Sequence, residues 1–174
     1  VLDMGLESSQ PCGIEAKQED GGLWVSGRTS VNYWSGKTLL SRGAFSVQPG
    51  GKLEVEVTRA SLEAEGSGAR SSLWMWVDAS NYLMFSQDTE HGHWSYNLNG
   101  RKGPGEGLLD DEDGGSRVMA LVHDGDSVHI LLDGRELADV KVPWTDGIRV
   151  GLTGQARMEG DSVSVRFRGF RAEG

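Results

Sequence analysis

The stretch RVMALVHDGDSVHILLDGRELADV, residues 117–140, decides the fold class. Two Asp-Gly pairs, at 124–125 and 133–134, divide it into three short apolar runs. Asp-Gly readily supplies the positive-φ positions that two-residue hairpin turns require. The stretch therefore predicts an antiparallel meander of three strands, 117–123, 127–132 and 135–141.

Period-two alternation of apolar residues continues through the rest of the chain. KLEVEVT at 52–58 has leucine or valine at every second position, and Val163, Val165 and Phe167 repeat the pattern. Such alternation buries one face of a strand and leaves the other face polar. Gly-Gly and Asp-Gly pairs between these segments predict tight turns. Besides the meander, the predicted strands are 12–17, 23–26, 29–34, 38–41, 44–48, 52–60, 70–78, 81–87, 93–98, 147–153 and 161–171.

These strands predict an all-β fold, an antiparallel two-sheet β-sandwich. Fourteen short strands in one domain require two stacked sheets. The predicted domain spans residues 1–174, with 1–11 expected as a loosely ordered N-terminal extension. The segment 100–115 is rich in glycine and acid and is expected to be a surface loop, because strands of the same kind resume after it.

Composition and charge exclude several classes of function. The 174 residues include 17 Lys and Arg against 26 Asp and Glu, which gives a formal charge of −9. This balance argues against a nucleic-acid partner, because binding the phosphate backbone needs a basic surface. No apolar run approaches the ~18 residues of a membrane-spanning helix, and no signal peptide is visible. The single cysteine, Cys12, excludes a disulfide within the chain.

Three segments carry a family resemblance: the meander at 117–140, the hairpin SLWMWVDASNYLMF at 72–85 and the closing strand at 163–170. They resemble concanavalin A-like lectin/glucanase and laminin-G-like domains, over roughly residues 20–171. The resemblance implies a jelly roll of two curved sheets that commonly holds carbohydrate on its concave face. It also implies frequent calcium binding and favours an extracellular or cell-surface location. The family's hydrolase signature Glu-x-Asp-x-x-Glu and the arginine, Gln-x-His and tyrosine signatures of its lyase branch are missing, so no catalytic residue is carried over.

Aromatic residues supply the main candidate for a binding site. Trp74 and Trp76 are two apart, so in a strand both project from one face of the sheet. Tyr82, Trp94 and Tyr96 follow on the next two predicted strands. Aromatic rings complement the apolar C–H faces of sugars, and Tyr and Trp add a polar group for hydroxyls.

The pairing register of the 70–87 hairpin decides between a binding face and the core. If Trp76 lies opposite Tyr82 and Trp74 opposite Met84, the two tryptophans share a face suited to binding. If Val77 lies opposite Tyr82 instead, the tryptophans fill the core between the sheets. The sequence leaves this choice open.

The leading hypothesis is a non-catalytic carbohydrate-binding module. A glycan would stack on the aromatic side chains and accept or donate hydrogen bonds at Arg70, His93 and Asn97. The predicted partner is a glycan or glycoconjugate, with no nucleic acid and no membrane span. The oligomeric state is left open.

Two alternative functions come from other classes. Glu90, His91 and His93 bring together groups that can act as acid and base, as a glycoside hydrolase or polysaccharide lyase on the same fold would require. The ordinary structural interpretation of this segment is a polar hairpin turn. The other alternative is a laminin-G-like protein-interaction domain of a larger protein.

An acidic segment at 109–114 is a candidate for a calcium site; His91 and His93, two apart, could also ligate one ion but offer only two ligands. Asp110, Asp111 and Asp113 could wrap a calcium ion, which prefers several carboxylate oxygens. The segment lacks the spacing of an EF-hand loop, and a solvated acidic loop is the ordinary alternative. No cofactor other than calcium is expected.

Three arginines at 166, 168 and 171 form a basic stripe on the last predicted strand. Glu54 and Glu56 alternate in the same way on another strand. Cross-strand ion pairs with such glutamates are the ordinary explanation for the stripe.

Overall fold

The computed structural model describes residues 4–8, 12–89, 93–103, 107–108 and 116–174, which form sixteen strands and no helix. The strands are β1 (Met4–Ser8), β2 (Ile14–Glu19), β3 (Gly22–Arg28), β4 (Ser35–Ser41), β5 (Leu53–Ser61), β6 (Glu63–Glu65), β7 (Ala69–Asp78), β8 (Asn81–Asp88), β9 (His93–Leu98), β10 (Arg101–Lys102), β11 (Gly107–Leu108), β12 (Ser116–His123), β13 (Ser127–Leu132), β14 (Arg135–Lys141), β15 (Arg149–Ala156) and β16 (Ser162–Glu173). Nothing helical in this part of the chain has the length and apolar character needed to cross a bilayer.

The strands form two antiparallel sheets that pack as a sandwich. The front sheet has the order β1-β4-β15-β7-β8-β9-β10, with β11 also paired to β9. The back sheet has the order β14-β13-β12-β5-β16-β3-β2, with β6 also paired to β16. The predicted all-β two-sheet sandwich is therefore confirmed.

The alternating apolar residues meet between the sheets. Val55 and Val57 of β5 and Val165 of β16 are fully buried in the back sheet. Leu73 and Met75 of β7 are fully buried from the front sheet. The same period-two pattern that buries these residues turns their sequence neighbours to the two outer faces.

Two of the predicted strands, 29–34 and 44–48, are wrong, because these segments form loops. Residues 29–34 form bends that lead into β4, where the Thr29 amide donates to the Asp161 carbonyl at 2.9 Å. The 44–48 segment contributes one isolated bridge, Phe45 to Ile148. Four strands also lie where none was predicted: β1 falls inside the expected N-terminal extension, β6 lies between the predicted strands 52–60 and 70–78, and β10 and β11 fall inside the expected 100–115 loop.

His129 links β13 to the turn before it and to β14. His129 on β13 contacts the Asp124 carboxylate through Nε2 at 2.9 Å, and its Nδ1 contacts the Glu136 carboxylate. The hydrogen bond with Asp124 is the largest factor that raises the pKa of His129. In return, His129 and the backbone amides of Ser127 and Asp126 hold the pKa of Asp124 well below its usual range. Because both ring nitrogens face carboxylates, the imidazolium form donates to both.

We expect His129→Gln to destabilise the protein most below about pH 6.5, the ordinary pKa of histidine. The folded-state pKa is raised, so this stabilisation is fully present below the unfolded pKa and is lost as pH rises through the folded pKa. Thermal unfolding of wild type and variant at about pH 5.5 and about pH 9 checks the sign. A Tm difference that is equal at the two pH values would contradict the charged pairing.

Candidate functional site

The outer face of the front sheet carries the aromatic residues of the 70–87 hairpin. Trp76 lies opposite Tyr82 and Trp74 opposite Met84, the first of the two registers considered. Trp74, Trp76 and Tyr82 are therefore on the face opposite the core, where all three are half-buried. The rings of Trp74 and Tyr82 are 5.3 Å apart at 45° to each other. We call this the aromatic face.

A row of hydroxyl side chains crosses five strands beside the aromatic face. Its members lie opposite one another on β4, β15, β7, β8 and β9: Thr38, Thr153, Ser72, Ser86 and Ser95. The Thr38 and Thr153 hydroxyls are 2.8 Å apart, and the Ser72 and Ser86 hydroxyls are 2.7 Å apart. Within each pair the hydroxyls satisfy one another in place of water, and the pairs join β4 to β15 and β7 to β8.

A row of charged and amide side chains lies on the far side of the hydroxyls. Arg70 is opposite Gln155 on one side and Asp88 on the other. The Arg70 Nε is 3.5 Å from an Asp88 carboxylate oxygen, and Asp88 is only 2% exposed. Ser95 donates to the same oxygen at 3.3 Å. The Arg70 guanidinium also lies 3.6 Å from the centre of the Trp34 ring.

The other rim of the aromatic face is also held by an arginine. Arg149 lies opposite Trp76, with its guanidinium 5.9 Å from the centre of the indole ring. Its Nε donates to the Ser41 carbonyl at 2.7 Å, which fixes the side chain on β15. On the opposite side, the Tyr82 amide donates to the Asn99 side chain at 2.8 Å, which joins β8 to the turn after β9.

Most of the residues predicted to bind ligand come together on this face, but two do not. Arg70, Trp74, Trp76, Tyr82 and Asn97 belong to it, and the backbone of His93 lies opposite Asp88 in the same sheet. Two other predicted residues, Trp94 and Tyr96, are instead buried in the core, at 6% and 8% exposure. Burial raises the pKa of the Tyr96 phenol. Because side chains alternate along β9, Asn97 is on the outer face and these two rings point into the core.

Of the acid–base and calcium candidates, only His93 belongs to the described residues. The others lie outside the described ranges: Glu90, His91, Asp110, Asp111 and Asp113. Within the part of the chain that the structure describes, no group of three His, Cys, Asp or Glu residues could hold a metal ion.

Sequence reasoning missed two contributors to the face, Trp34 and Gln155. Trp34 was assigned to a strand, whereas its contact with Arg70 joins a loop to a strand 36 residues away. Gln155 lies just beyond the predicted strand 147–153, near the C-terminal end of the observed β15. Ser72 could have been predicted, because it is two residues before Trp74 and so on the same face. Ser86 then follows from the β7–β8 register, in which it lies opposite Ser72.

Three polar atoms of the face have no hydrogen-bond partner among the described residues. They are Trp74 Nε1, Asn97 Oδ1 and Gln155 Oε1, all shielded from solvent. One is a donor and two are acceptors, and each is covered by neighbouring atoms of the protein.

Comparison with known proteins finds matches to the structure but none to the sequence. No protein-family model and no curated protein matches the sequence. Solved structures do match: a functionally unknown protein from Saccharomyces cerevisiae has a TM-score of 0.73 at 11% identity, covering 98% of this chain and 95% of its own. The carbohydrate binding module CBM66 from Bacillus subtilis has a TM-score of 0.57 at 18% identity, covering 95% of this chain and 98% of its own. The alginate lyase AlgAT5 of polysaccharide lyase family 7 has a TM-score of 0.64 at 8% identity, covering 96% and 84%.

The fold is a concanavalin A-like jelly roll. The jelly roll is shared here by a binding module and by an enzyme, so it does not by itself select an activity. At these identities the likeness establishes the fold alone. The function of this jelly roll has to be argued from its own aromatic face.

Proposed function

We propose that this jelly roll is a non-catalytic carbohydrate-binding module whose ligand lies on the outer face of the front sheet. The observation that carries the proposal is the register of the hairpin, which displays Trp74, Trp76 and Tyr82 together instead of burying them between the sheets. Half-buried rings offer a rigid apolar surface at low entropic cost, which suits the C–H face of a pyranose or furanose ring.

The polar groups around the rings suit a polyhydroxyl ligand. Sugar hydroxyls both donate and accept, so they can meet the half-buried amide side chains of Asn97 and Gln155 and the N–H groups of Arg70. Arg70 is held between the Asp88 carboxylate and the Trp34 ring, which fixes the direction of its N–H groups before a ligand arrives. His93 belongs to the same proposed site through its position opposite Asp88.

The test is calorimetric titration of neutral and acidic polysaccharides into the wild type and Trp76→Ala. The substitution is expected to weaken binding by at least about tenfold, because a central aromatic side chain commonly contributes more than about 1.4 kcal/mol. Trp24→Ala is the matched control, since Trp24 is a half-buried tryptophan on the outer face of the back sheet. It is expected to leave the affinity for the neutral polysaccharides unchanged; the acidic ones are not compared with this control, because Trp24 also stacks with Arg166 on the back sheet.

Other results would point elsewhere. Equal losses in the two tryptophan variants would place the ligand away from the aromatic face. Release of cleavage products from any polysaccharide in the panel would favour the hydrolase or lyase alternative. Absence of binding to the whole panel, with capture of a protein partner, would favour the interaction-domain alternative.

A further inference from the structure

A cluster of three arginines lies on the outer face of the back sheet, away from the aromatic face. Arg168 on β16 is directly opposite Arg59 on β5. Arg166 is two residues before Arg168 and lies opposite Trp24 on β3. All three arginines are exposed. We call these residues the arginine cluster.

The arginine cluster is not neutralised by the ion pairs that the sequence predicted. Arg171, the third arginine of the predicted stripe, does pair with Glu56 at 3.2 Å. Arg59, Arg166 and Arg168 have no ion-pair partner among the residues that the structure describes. Like charges directly opposite in a sheet are destabilising, and here they persist in a chain with a net charge of −9.

Alternation places the two facing arginines on the outer surface together, because each is next to a residue of the inward-facing pair Ala60 and Phe167. The next inward-facing residues are three positions away on both strands, Val57 on β5 and Phe170 on β16. At the same point β5 has one residue more than its other neighbour β12, which is a β-bulge. Gly169 takes φ of +66°, and a β-carbon there would lie 1.9 Å from the Thr58 hydroxyl oxygen, so the bend depends on glycine.

The third guanidinium is held in position before any ligand binds. Arg166 stacks over the Trp24 ring with 4.4 Å between the guanidinium carbon and the ring centre. The indole is itself fixed, because Trp24 Nε1 donates to the Ser164 hydroxyl at 3.1 Å. Stacking leaves the edge N–H groups of the guanidinium open for hydrogen bonds to an anion.

Acidic groups lie beside the Arg166 end of the cluster, with Glu19 and Asp20 on one side of β16 and Glu63, opposite Ser164, on the other. A cavity of about 230 Å³ adjoins it, lined by Arg166 and Arg168 on one side and by Glu19 and Asp20 on the other. The Glu19 carboxylate is already paired with Lys17 at 2.6 Å. The positive charge with the fewest acidic neighbours is therefore between β16 and β5, where Arg168 faces Arg59.

We propose that the arginine cluster binds an anionic oxyanion group, such as the sulfate or phosphate ester of a polyanionic ligand. Facing guanidinium groups can each donate two parallel N–H bonds to such a group, and the anion relieves the repulsion between them. This site is independent of the proposed carbohydrate site, because it is on the opposite sheet and uses none of the same residues.

The first test is thermal unfolding with sodium sulfate or phosphate against sodium chloride at matched ionic strength. The wild type is expected to gain Tm with sulfate or phosphate beyond the gain with chloride. Arg59→Gln and Arg168→Gln are expected to lose that extra gain, while in salt-poor buffer their Tm is equal to or above that of the wild type. Arg135→Gln, a charge-matched change at an exposed position on β14, is expected to behave like the wild type.

The second test compares dextran sulfate with unsulfated dextran by calorimetry. Each cluster variant is expected to weaken binding of dextran sulfate by about tenfold, as the loss of a charge-assisted hydrogen bond implies, and to leave dextran unaffected. Tighter binding of dextran sulfate than of free sulfate would assign the group to an ester on a polymer, and equal binding to a free ion. A sulfate effect no larger than that of chloride, or one lost equally in Arg135→Gln, would overturn the proposal.

Discussion

Gly36→Ala is expected to lower the free energy of unfolding by about 3 kcal/mol or more. Gly36 lies on β4 opposite Gln155 of β15, in the same row as Arg70. A β-carbon at this position would lie 1.8 Å from the Gly154 carbonyl oxygen and 2.9 Å from the Gln155 α-carbon. These are backbone atoms of a paired strand, so no side-chain rotation can relieve the contact.

The only relief for Gly36→Ala is to separate β4 from β15, which breaks ladder hydrogen bonds in the middle of the front sheet. For a domain of this size, about 3 kcal/mol corresponds to a Tm lower by roughly 6–12 °C. The same separation would move Trp34, two residues earlier, away from Arg70, so we expect glycan affinity to fall as well.

Gly43→Ala is the matched control, because a β-carbon there would meet nothing within 4 Å and the residue does not take a positive φ. Its effect is expected to lie within about 0.5 kcal/mol. Thermal and urea unfolding of both variants make the comparison. Similar stabilities for the two variants would show that β4 and β15 are not held at the observed distance.

The meander was predictable because its signals are local. The predicted strand at 127–132 coincides with β13, and that at 135–141 with β14. The turn between them has Asp133 at φ 52° and Gly134 at φ 81°, as an Asp-Gly hairpin requires. Both turn chemistry and alternation act within a few residues, so a single sequence carries them.

The strand order and the edges of the sheets were not predictable in the same way. The loop at 29–34 has β-forming residues, yet its backbone hydrogen bonds join Thr29 to Gly160 and Asp161, more than 100 residues later, and Ser30 to Cys12. The 44–48 segment forms only one bridge, to Ile148. Nothing within either segment records these distant partners.

The aromatic face shows both a limit and an oversight of sequence reasoning. The register of the 70–87 hairpin depends on an irregularity between Trp76 and Asp78, which turn signals alone did not determine. By contrast, the split of β9 into an inward and an outward set follows from alternation alone. Placing Trp94 and Asn97 in one site is inconsistent with the alternation of side chains in a strand, because the two residues are three apart.

The ion pair beneath the proposed ligand is expected to show a strong asymmetry between its two partners. Arg70→Ala removes the guanidinium from a carboxylate that is 2% exposed, and we expect a loss of about 3–5 kcal/mol. Asp88→Ala is expected to cost less, because the Arg70 side chain is 17% exposed and keeps its contact with the Trp34 ring. Unfolding in urea measures both.

The double variant of Arg70→Ala with Asp88→Ala decides whether this asymmetry comes from the buried charge. If the cost of Arg70→Ala is mainly an uncompensated carboxylate, then removing Asp88 as well restores part of the lost stability, and the double variant is more stable than Arg70→Ala alone. Simple addition of the two single losses would mean that solvent screens the pair and that Arg70 acts by packing on Trp34. Since Arg70 lies beside the unpartnered Gln155 acceptor, a charge held so firmly would also explain how this side of the face keeps one geometry for a ligand.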